Sequence, residues 1–414
     1  MGQVVSSIAR FFRREPAAAP ALIDVRQLMM QLTDAELLEA ADGYFSKLTL
    51  ESEQCHKPFS NPGDAVHLTR HLSLLLQAAD LFPGADVLDF GCATGWLTLA
   101  LADLGCNTIG VDISPAAIVL AEAVKARSPR RGVGSTRFQA YDGHRLPVPD
   151  QSLDRVLCFD AFHHVKDQAH VIREFARVLR PGGRVAMVEP GPNHSRTPQS
   201  QMEMSRYKVI ENDVDMVEMC AVASRAGFSV PQMLLQFQKP RIVPADQFLE
   251  WSAELTFPDA DARRLLSGLK SELTDTQSFF MVKGQEAPDS RIAGALAAHI
   301  RMLSARSLGA DSAELHFVLR NTGEAVWTTE PGRPGQVNLG SLLIAADGTV
   351  LDLNHGRYAL GVARVLPGEQ IDLTVTTRVP PEPGARLRFD LVAENVAWFE
   401  QLGRCDPVEW RIGS

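Results

Sequence analysis

Apolar and polar positions change their period twice along this 414-residue chain. Over residues 25–48 and 64–80 the apolar side chains recur at helical spacing. From Ala85 onward, short apolar runs alternate with helical stretches. Ala85–Phe90 reads as a buried strand, Trp96–Leu104 as a helix and Thr108–Val111 as a second strand. Ser114-Pro115 opens the next helix: the serine hydroxyl accepts from free backbone N–H groups, and proline at the first helical position loses no bond. Thr136–Ala140 and Leu153–Phe159 follow as strands. Val171, Ile172, Phe175, Val178 and Leu179 mark one face of a helix that Pro181-Gly182-Gly183 ends, and Arg184–Glu189 is the fifth strand. This alternation predicts an α/β fold with a parallel, doubly wound sheet. Residues 200–275 read as mostly helical, broken at Gly227-Phe228 before a further strand, and Ser278–Val282 reads as the closing strand.

Past residue 290 the period becomes two. Leu315, Phe317 and Leu319 alternate with polar neighbours, as do Ile371, Leu373 and Val375, and Leu387, Phe389 and Leu391. Asn321-Thr322-Gly323, Asp347-Gly348, Pro367-Gly368 and Pro383-Gly384 punctuate these runs. Half-buried strands separated by such turns predict an antiparallel sandwich. The expected organisation is therefore a stub over 1–22, an α/β domain over 23–284 with a helical lid at 200–275, and an all-β domain over 285–414 that starts with a linker at 285–290. Trp327, Trp398 and Trp410 in the last domain are read as sandwich core rather than as a sugar-stacking platform.

Composition narrows the classes. A chain that is 45% hydrophobic and 22% charged can build a packed core. Its net charge of −9 argues against nonspecific nucleic-acid binding, which needs basic patches. No apolar stretch approaches the ~18 residues of a membrane span. The six cysteines are scattered without a CxxC or a zinc-ligand spacing, which suggests reduced thiols, a cytoplasmic protein and no metal centre. Val4–Arg14 is a weakly amphipathic basic stub, read as a frayed terminus in preference to a membrane-surface contact.

The chemistry concentrates in Val87-Leu-Asp-Phe-Gly-Cys-Ala-Thr-Gly-Trp96. A strand ends in Asp89, and a turn of small residues from Gly91 to Gly95 leads into a helix whose free amides face a ligand. A second strand then ends in Asp112, where a carboxylate can take both ribose hydroxyls. Dinucleotide binding is the competing reading. Against it stand Ala93 at the central glycine position of that fingerprint and the bulky Trp96 where its last glycine would fall.

These residues, with Asp142-Gly143 after the third strand, Phe159-Asp160-Ala-Phe-His163-His164 after the fourth and Leu179-Arg-Pro-Gly-Gly183 before the fifth, resemble the class I S-adenosylmethionine-dependent methyltransferases over about residues 50–284. The resemblance implies a seven-stranded Rossmann-like sheet with an antiparallel final pair, and S-adenosylmethionine as cofactor. It implies that Gly91, Cys92, Ala93 and Gly95 face the methionine part, with Asp89 behind them. Asp112, followed by Ile113, would hold the ribose. Asp142 and Gly143 would read the adenine, and Phe159 and Asp160 would line the pocket. The flanks Lys57-Pro-Phe-Ser60, Glu189-Pro-Gly-Pro-Asn-His194-Ser195 and Tyr207-Lys-Val-Ile-Glu211-Asn-Asp213 resemble bacterial methyltransferases of surface-polysaccharide pathways. The last domain is similar to immunoglobulin-like accessory domains of glycan assembly proteins. Those resemblances imply a sugar hydroxyl as acceptor and glycan-assembly proteins as partners.

Methyl transfer to a hydroxyl needs a base near neutral pH. His194, in a loop at the carboxyl end of the fifth strand, is the first candidate, because ligands gather at that edge of such sheets. His163 and His164 divide evenly between a direct role and simple packing or backbone bonding. Asp142 reads either as an adenine contact or as an ordinary Asp-Gly turn. Glu203, Tyr207 and Glu211 are expected on a helix beyond His194, partly as its solvated face. The rival functions are methylation of a small metabolite or lipid-like acceptor, and an inactive glycan-binding assembly protein.

Overall fold

A computed structural model describes residues 22–128, 134–235, 276–285 and 288–411, apart from 310, 330, 333 and 380–383, and within 236–275 only Ala245 and Leu249. The stub expected over 1–22 and the later part of the expected lid thus lie outside the described residues, save for single positions.

Three helices come first: α1 (Val25–Gln31), α2 (Asp34–Phe45) and α3 (Pro62–Ala79). The one stretch expected over 25–48 is two helices because Thr33 caps the second. Its hydroxyl accepts the Glu36 N–H while the Glu36 carboxylate accepts the Thr33 N–H. Then come β1 (Asp86–Phe90), α4 (Trp96–Asp103), β2 (Asn107–Asp112), α5 (Pro115–Arg127), β3 (Thr136–Ala140), β4 (Leu153–Phe159), α6 (Gln168–Val178) and β5 (Leu179–Pro190). Ser114 caps α5 as expected, accepting the Ala117 N–H at 3.1 Å. The fifth strand begins five residues earlier than the sequence suggests. Leu179 already pairs with Leu153, and the Pro-Gly-Gly segment is absorbed as a register slip before Arg184 pairs with Arg155. Helices α7 (Pro198–Tyr207) and α8 (Met216–Arg225) precede β6 (Gln232–Met233) and β7 (Thr276–Val282).

The seven strands stand in the order β3-β2-β1-β4-β5-β7-β6. The first five are parallel, and β7 runs antiparallel to both its neighbours. Alternate residues bury opposite faces. Val87, Leu157 and Ala186 pack against Leu75 of α3 and Leu97 and Leu101 of α4, while Leu88, Val156 and Val185 pack against Ile172 and Phe175 of α6. Strand order reverses between β1 and β4, so a crevice opens at their carboxyl ends.

The C-terminal region is mostly strands. β8 (Ala298–Ser307), β9 (Ser312–Asn321) and β14 (Gln370–Arg378) form one sheet. A second sheet comprises β11 (Val337–Ile344), β12 (Val350–Ala359), β15 (Arg386–Ala393), β16 (Ala397–Trp398) and β17 (Val408–Arg411). The short β10 (Trp327–Thr328) pairs with β13 (Arg364–Val365). Leu315, Phe317 and Leu373 of the first sheet share one buried cluster with Leu339, Phe389 and Leu391 of the second. Trp327 and Trp410 belong to that cluster as expected, but Trp398 does not. It is half-buried, with the Arg357 guanidinium 4.5 Å over its ring.

Ions bridge the two halves. Arg364 reaches Asp86 at 2.6 Å and also pairs with Asp154, both of which Arg180 holds from the α/β side. Arg291 reaches Asp80 at 2.8 Å. The expected linker ends inside the second half: Ser290 is fully buried and donates to the Gly335 carbonyl at 2.6 Å.

Candidate active site

The turn after β1 is shaped by its backbone. Gly91 and Gly95 have φ of 72° and 79°, where side chains are strained. A Cβ on Gly91 would also come within 2.4 Å of the Ala161 Cβ, and one on Gly95 within 2.5 Å of the Phe138 ring. Ala93 takes the left-handed conformation without being glycine, at φ 47°. The Gly91 and Cys92 N–H groups both donate to the Val111 carbonyl at 2.9 Å, which ties the turn to β2. A cavity at this turn is lined by Lys57, Asp89, Gly91, Cys92, Ala93, Trp96, Leu97, Phe159 and Asp160. The Trp96 and Phe159 rings meet edge to face at 5.3 Å. Thus six of the expected cofactor residues gather around one cavity, together with Lys57, Trp96 and Leu97, to which the sequence assigned no pocket role.

Asp112 lies beside it, 7% exposed, and is bonded to the turn. Its two oxygens accept the N–H groups of Ala93 and Ser114, each at 3.0 Å. An ionised carboxylate has about four acceptor positions, so it can still receive two hydroxyls. Burial pushes its carboxyl above the ordinary aspartate range, and the Ser114 and Ala93 N–H groups hold it back. Ile113 follows it, half-buried. Asp89 is 2% exposed and accepts the Thr98 hydroxyl at 2.6 Å. Burial, opposed by that bond, pushes it up to about 7. A cationic ligand would favour its ionised form. The geometry fits a cofactor with a ribose and a positive methionine part.

Asp142 and Gly143 follow β3 at the same sheet edge but outside this lining. Asp142 Oδ1 closes its own turn, accepting the His144 and Arg145 N–H groups at 2.8 Å each. The turn reading is therefore present in the geometry.

The acceptor side is built around two carboxylates. Glu189, at the end of β5, is 1% exposed. It accepts the N–H groups of Ala161, Phe162 and His163 at 3.1, 2.9 and 3.2 Å and bonds His163 Nδ1 at 2.9 Å. Burial opposes the His163 cation, but the Glu189 bond and charge outweigh it and push the imidazole up to about 9. His163 is thus a buried cation near neutral pH and a poor proton acceptor. Glu211 is 2% exposed and bonds His194 Nε2 at 2.7 Å. It does not sit on a helix: α7 ends at Tyr207 because Lys208 turns left-handed, and the chain runs on extended into the site. The expected solvated face fails at this residue. His164 bonds the Ile210 carbonyl through Nδ1 at 2.7 Å, the backbone-bonding alternative. The His163 and His194 rings are 4.8 Å apart. Although the sequence shows no ligand spacing, donor atoms of His163, His194 and Glu211 lie within 4.8 Å of one another. Neither glutamate was a site candidate; only their presence in the flanking motifs pointed to them.

Residues 88–187 match the family model described as a methyltransferase domain. Over 177 residues the chain is 30% identical to a probable S-adenosylmethionine-dependent methyltransferase of Mycolicibacterium smegmatis, spanning 43% of this chain and 65% of that protein. Over 122 residues it is 38% identical to the 27-O-demethylrifamycin SV methyltransferase of Amycolatopsis mediterranei, spanning 29% of this chain and 43% of that one. The crystal structure of the YcgJ protein of Bacillus subtilis aligns with 21% identity and a TM-score of 0.38, covering 52% of this chain and 99% of that one. The chain spans about half to two thirds of the length of the curated relatives it matches. Residues 88–187 are thus the core of a methyltransferase domain of the S-adenosylmethionine-dependent class.

Proposed function

We propose that the whole protein transfers a methyl group from S-adenosylmethionine to a hydroxyl. The observation that carries this is the His194–Glu211 pair, 2.7 Å apart, at the sheet edge next to the cofactor turn. When bound, S-adenosylmethionine supplies an electrophilic sulfonium methyl, and the protein's work is placement and proton removal. Asp112 would hold the ribose, and Asp89, behind the turn, would favour the positive end through its charge. Asp142 and Gly143 would border the adenine. Glu211 orients the His194 ring, and His194 takes the acceptor proton; His163 and His164 frame that position. Within α7, Glu203 bonds Gln199 at 2.6 Å and helps to wall the acceptor side.

The acceptor we favour is a sugar hydroxyl of a glycan or glycan precursor, on the likeness of the flanking segments. The division after residue 284, an immunoglobulin-like arrangement of the C-terminal strands and a glycan-assembly partner belong to the same proposal, as does a cytoplasmic location. The six unpaired cysteines suit that location. Among the described residues no helix is long and apolar enough to cross a membrane. A small metabolite is the second reading, supported by the O-methyltransferase acting on a rifamycin. Screening sugar and small-molecule acceptors with methyl-labelled cofactor separates the two. Label on glycan precursors supports the first, label confined to small aromatic or polyketide acceptors supports the second, and no transfer to any acceptor supports an inactive assembly protein.

A further inference from the structure

We infer that His163, His194 and Glu211 form a binding site for one divalent transition-metal ion on the acceptor side of the cofactor turn. Two imidazoles and a carboxylate suit zinc, manganese, iron or cobalt better than magnesium or calcium, which prefer all-oxygen sites. Their donor atoms already lie within 4.8 Å of one another.

Each donor is held from outside the cluster. Glu189 bonds His163 Nδ1 at 2.9 Å and is itself fixed by three backbone N–H groups, so a metal ion would bind at Nε2 by displacing the proton that makes the free imidazole a cation. A carboxylate behind a histidine is the usual outer support of a metal-bound imidazole. The His194 turn is pinned next door, where the Ser195 N–H and hydroxyl both bond Asp213. The Asn212 N–H donates to the His163 carbonyl at 3.0 Å, joining the Glu211 segment to the His163 turn.

A second, independent observation points to a cation. Glu211 Oε1 is buried with no hydrogen-bond donor in place, and the Glu203 carboxyl lies against Glu211, pushed upward by burial and by that neighbouring carboxylate. His164 Nδ1 lies 3.4 Å from it but is bonded to the Ile210 carbonyl. An unmatched carboxylate oxygen in a buried place is unfavourable, and a metal ion would satisfy it. An ion here takes the place of the proton between His194 and Glu211. Metal occupancy and proton acceptance by His194 therefore exclude each other, and this consequence, unlike the binding itself, rests on the reading above.

The test uses the 414-residue chain, freed of metal by a chelator, and Co2+ as the probe. The expected result is a visible ligand-field spectrum that saturates at one ion per chain. It should be displaced by Zn2+ and unaffected by millimolar Mg2+. His163→Ala and Glu211→Gln should each weaken Co2+ binding by at least ten-fold. Glu189→Gln, which leaves the donors in place, should weaken it about ten- to a hundred-fold. His316→Ala, a half-buried histidine of the C-terminal region, should change nothing. Circular dichroism and thermal melting on the same samples show which variants are folded, His194→Ala replaces any that is not, and cofactor calorimetry is read separately. No spectrum in the parent, or a spectrum unchanged in two folded variants, overturns the site. A chain that binds Co2+ but not S-adenosylmethionine keeps the metal site and sinks the methyltransferase reading, and the reverse result does the opposite.

Discussion

The two sides of the crevice are built in different ways. The cofactor side is local: Asp89 to Gly95 is one strand end and one turn, and Asp112 joins it through a single bond to the Ala93 N–H. The acceptor side is assembled from three separate places, the turn after β4, the loop after β5 and the extended segment after α7, joined by buried carboxylate–histidine bonds. A binding turn fixed by backbone conformation tolerates change in the side chains around it. A site fixed by buried charges does not, because removing one partner leaves the other uncompensated.

That contrast can be broken in order of expected effect. His194→Ala should slow methyl transfer about a hundred-fold or more while leaving cofactor affinity unchanged, read by steady-state rates beside calorimetry. Asp112→Ala should do the opposite. Loss of a charged acceptor is worth about 1.5–3 kcal/mol per bond, so cofactor binding should weaken at least ten-fold. Gly91→Ala strikes where the two sides touch. Its Cβ would sit 2.4 Å from Ala161, one residue before Phe162 in the turn that Glu189 holds, and at φ 72°. A loss of about 1–3 kcal/mol in thermal or denaturant unfolding is expected, with both cofactor affinity and rate reduced. The smallest effect is a pH slope. Because the Asp89 carboxyl is pushed up to about 7 by burial, the unfolded chain ionises it first as pH rises. Its contribution to stability is complete below the unfolded pKa and is lost as pH rises through about 7. Without cofactor, melting temperatures of the parent should fall across that window relative to Asp89→Asn; parallel curves would remove this role for burial.

The same contrast explains what the sequence made legible. Strand–helix alternation and the Gly91–Gly95 turn gave the sheet and most of the cofactor cavity, because both are set by neighbours in the chain. The break at Thr33 and the early start of β5 were missed because a capping box and a register slip override the apolar period. Glu189 and Glu211 showed only as members of the flanking motifs, since the role of a buried carboxylate is set by the partner that the fold brings to it. Trp398 was misplaced for a related reason. Two-residue β16 pairs Trp398 with Val392, too short a strand to show which face it presents.

The central claim is that this turn and Asp112 hold S-adenosylmethionine while His194 serves only the acceptor. Calorimetric titration of the cofactor into the parent, Asp112→Ala and His194→Ala chains tests it most directly. The account predicts one site per chain, weakened at least ten-fold in Asp112→Ala and unchanged in His194→Ala. Absent binding in the parent, or equal affinity in the parent and Asp112→Ala, would contradict it.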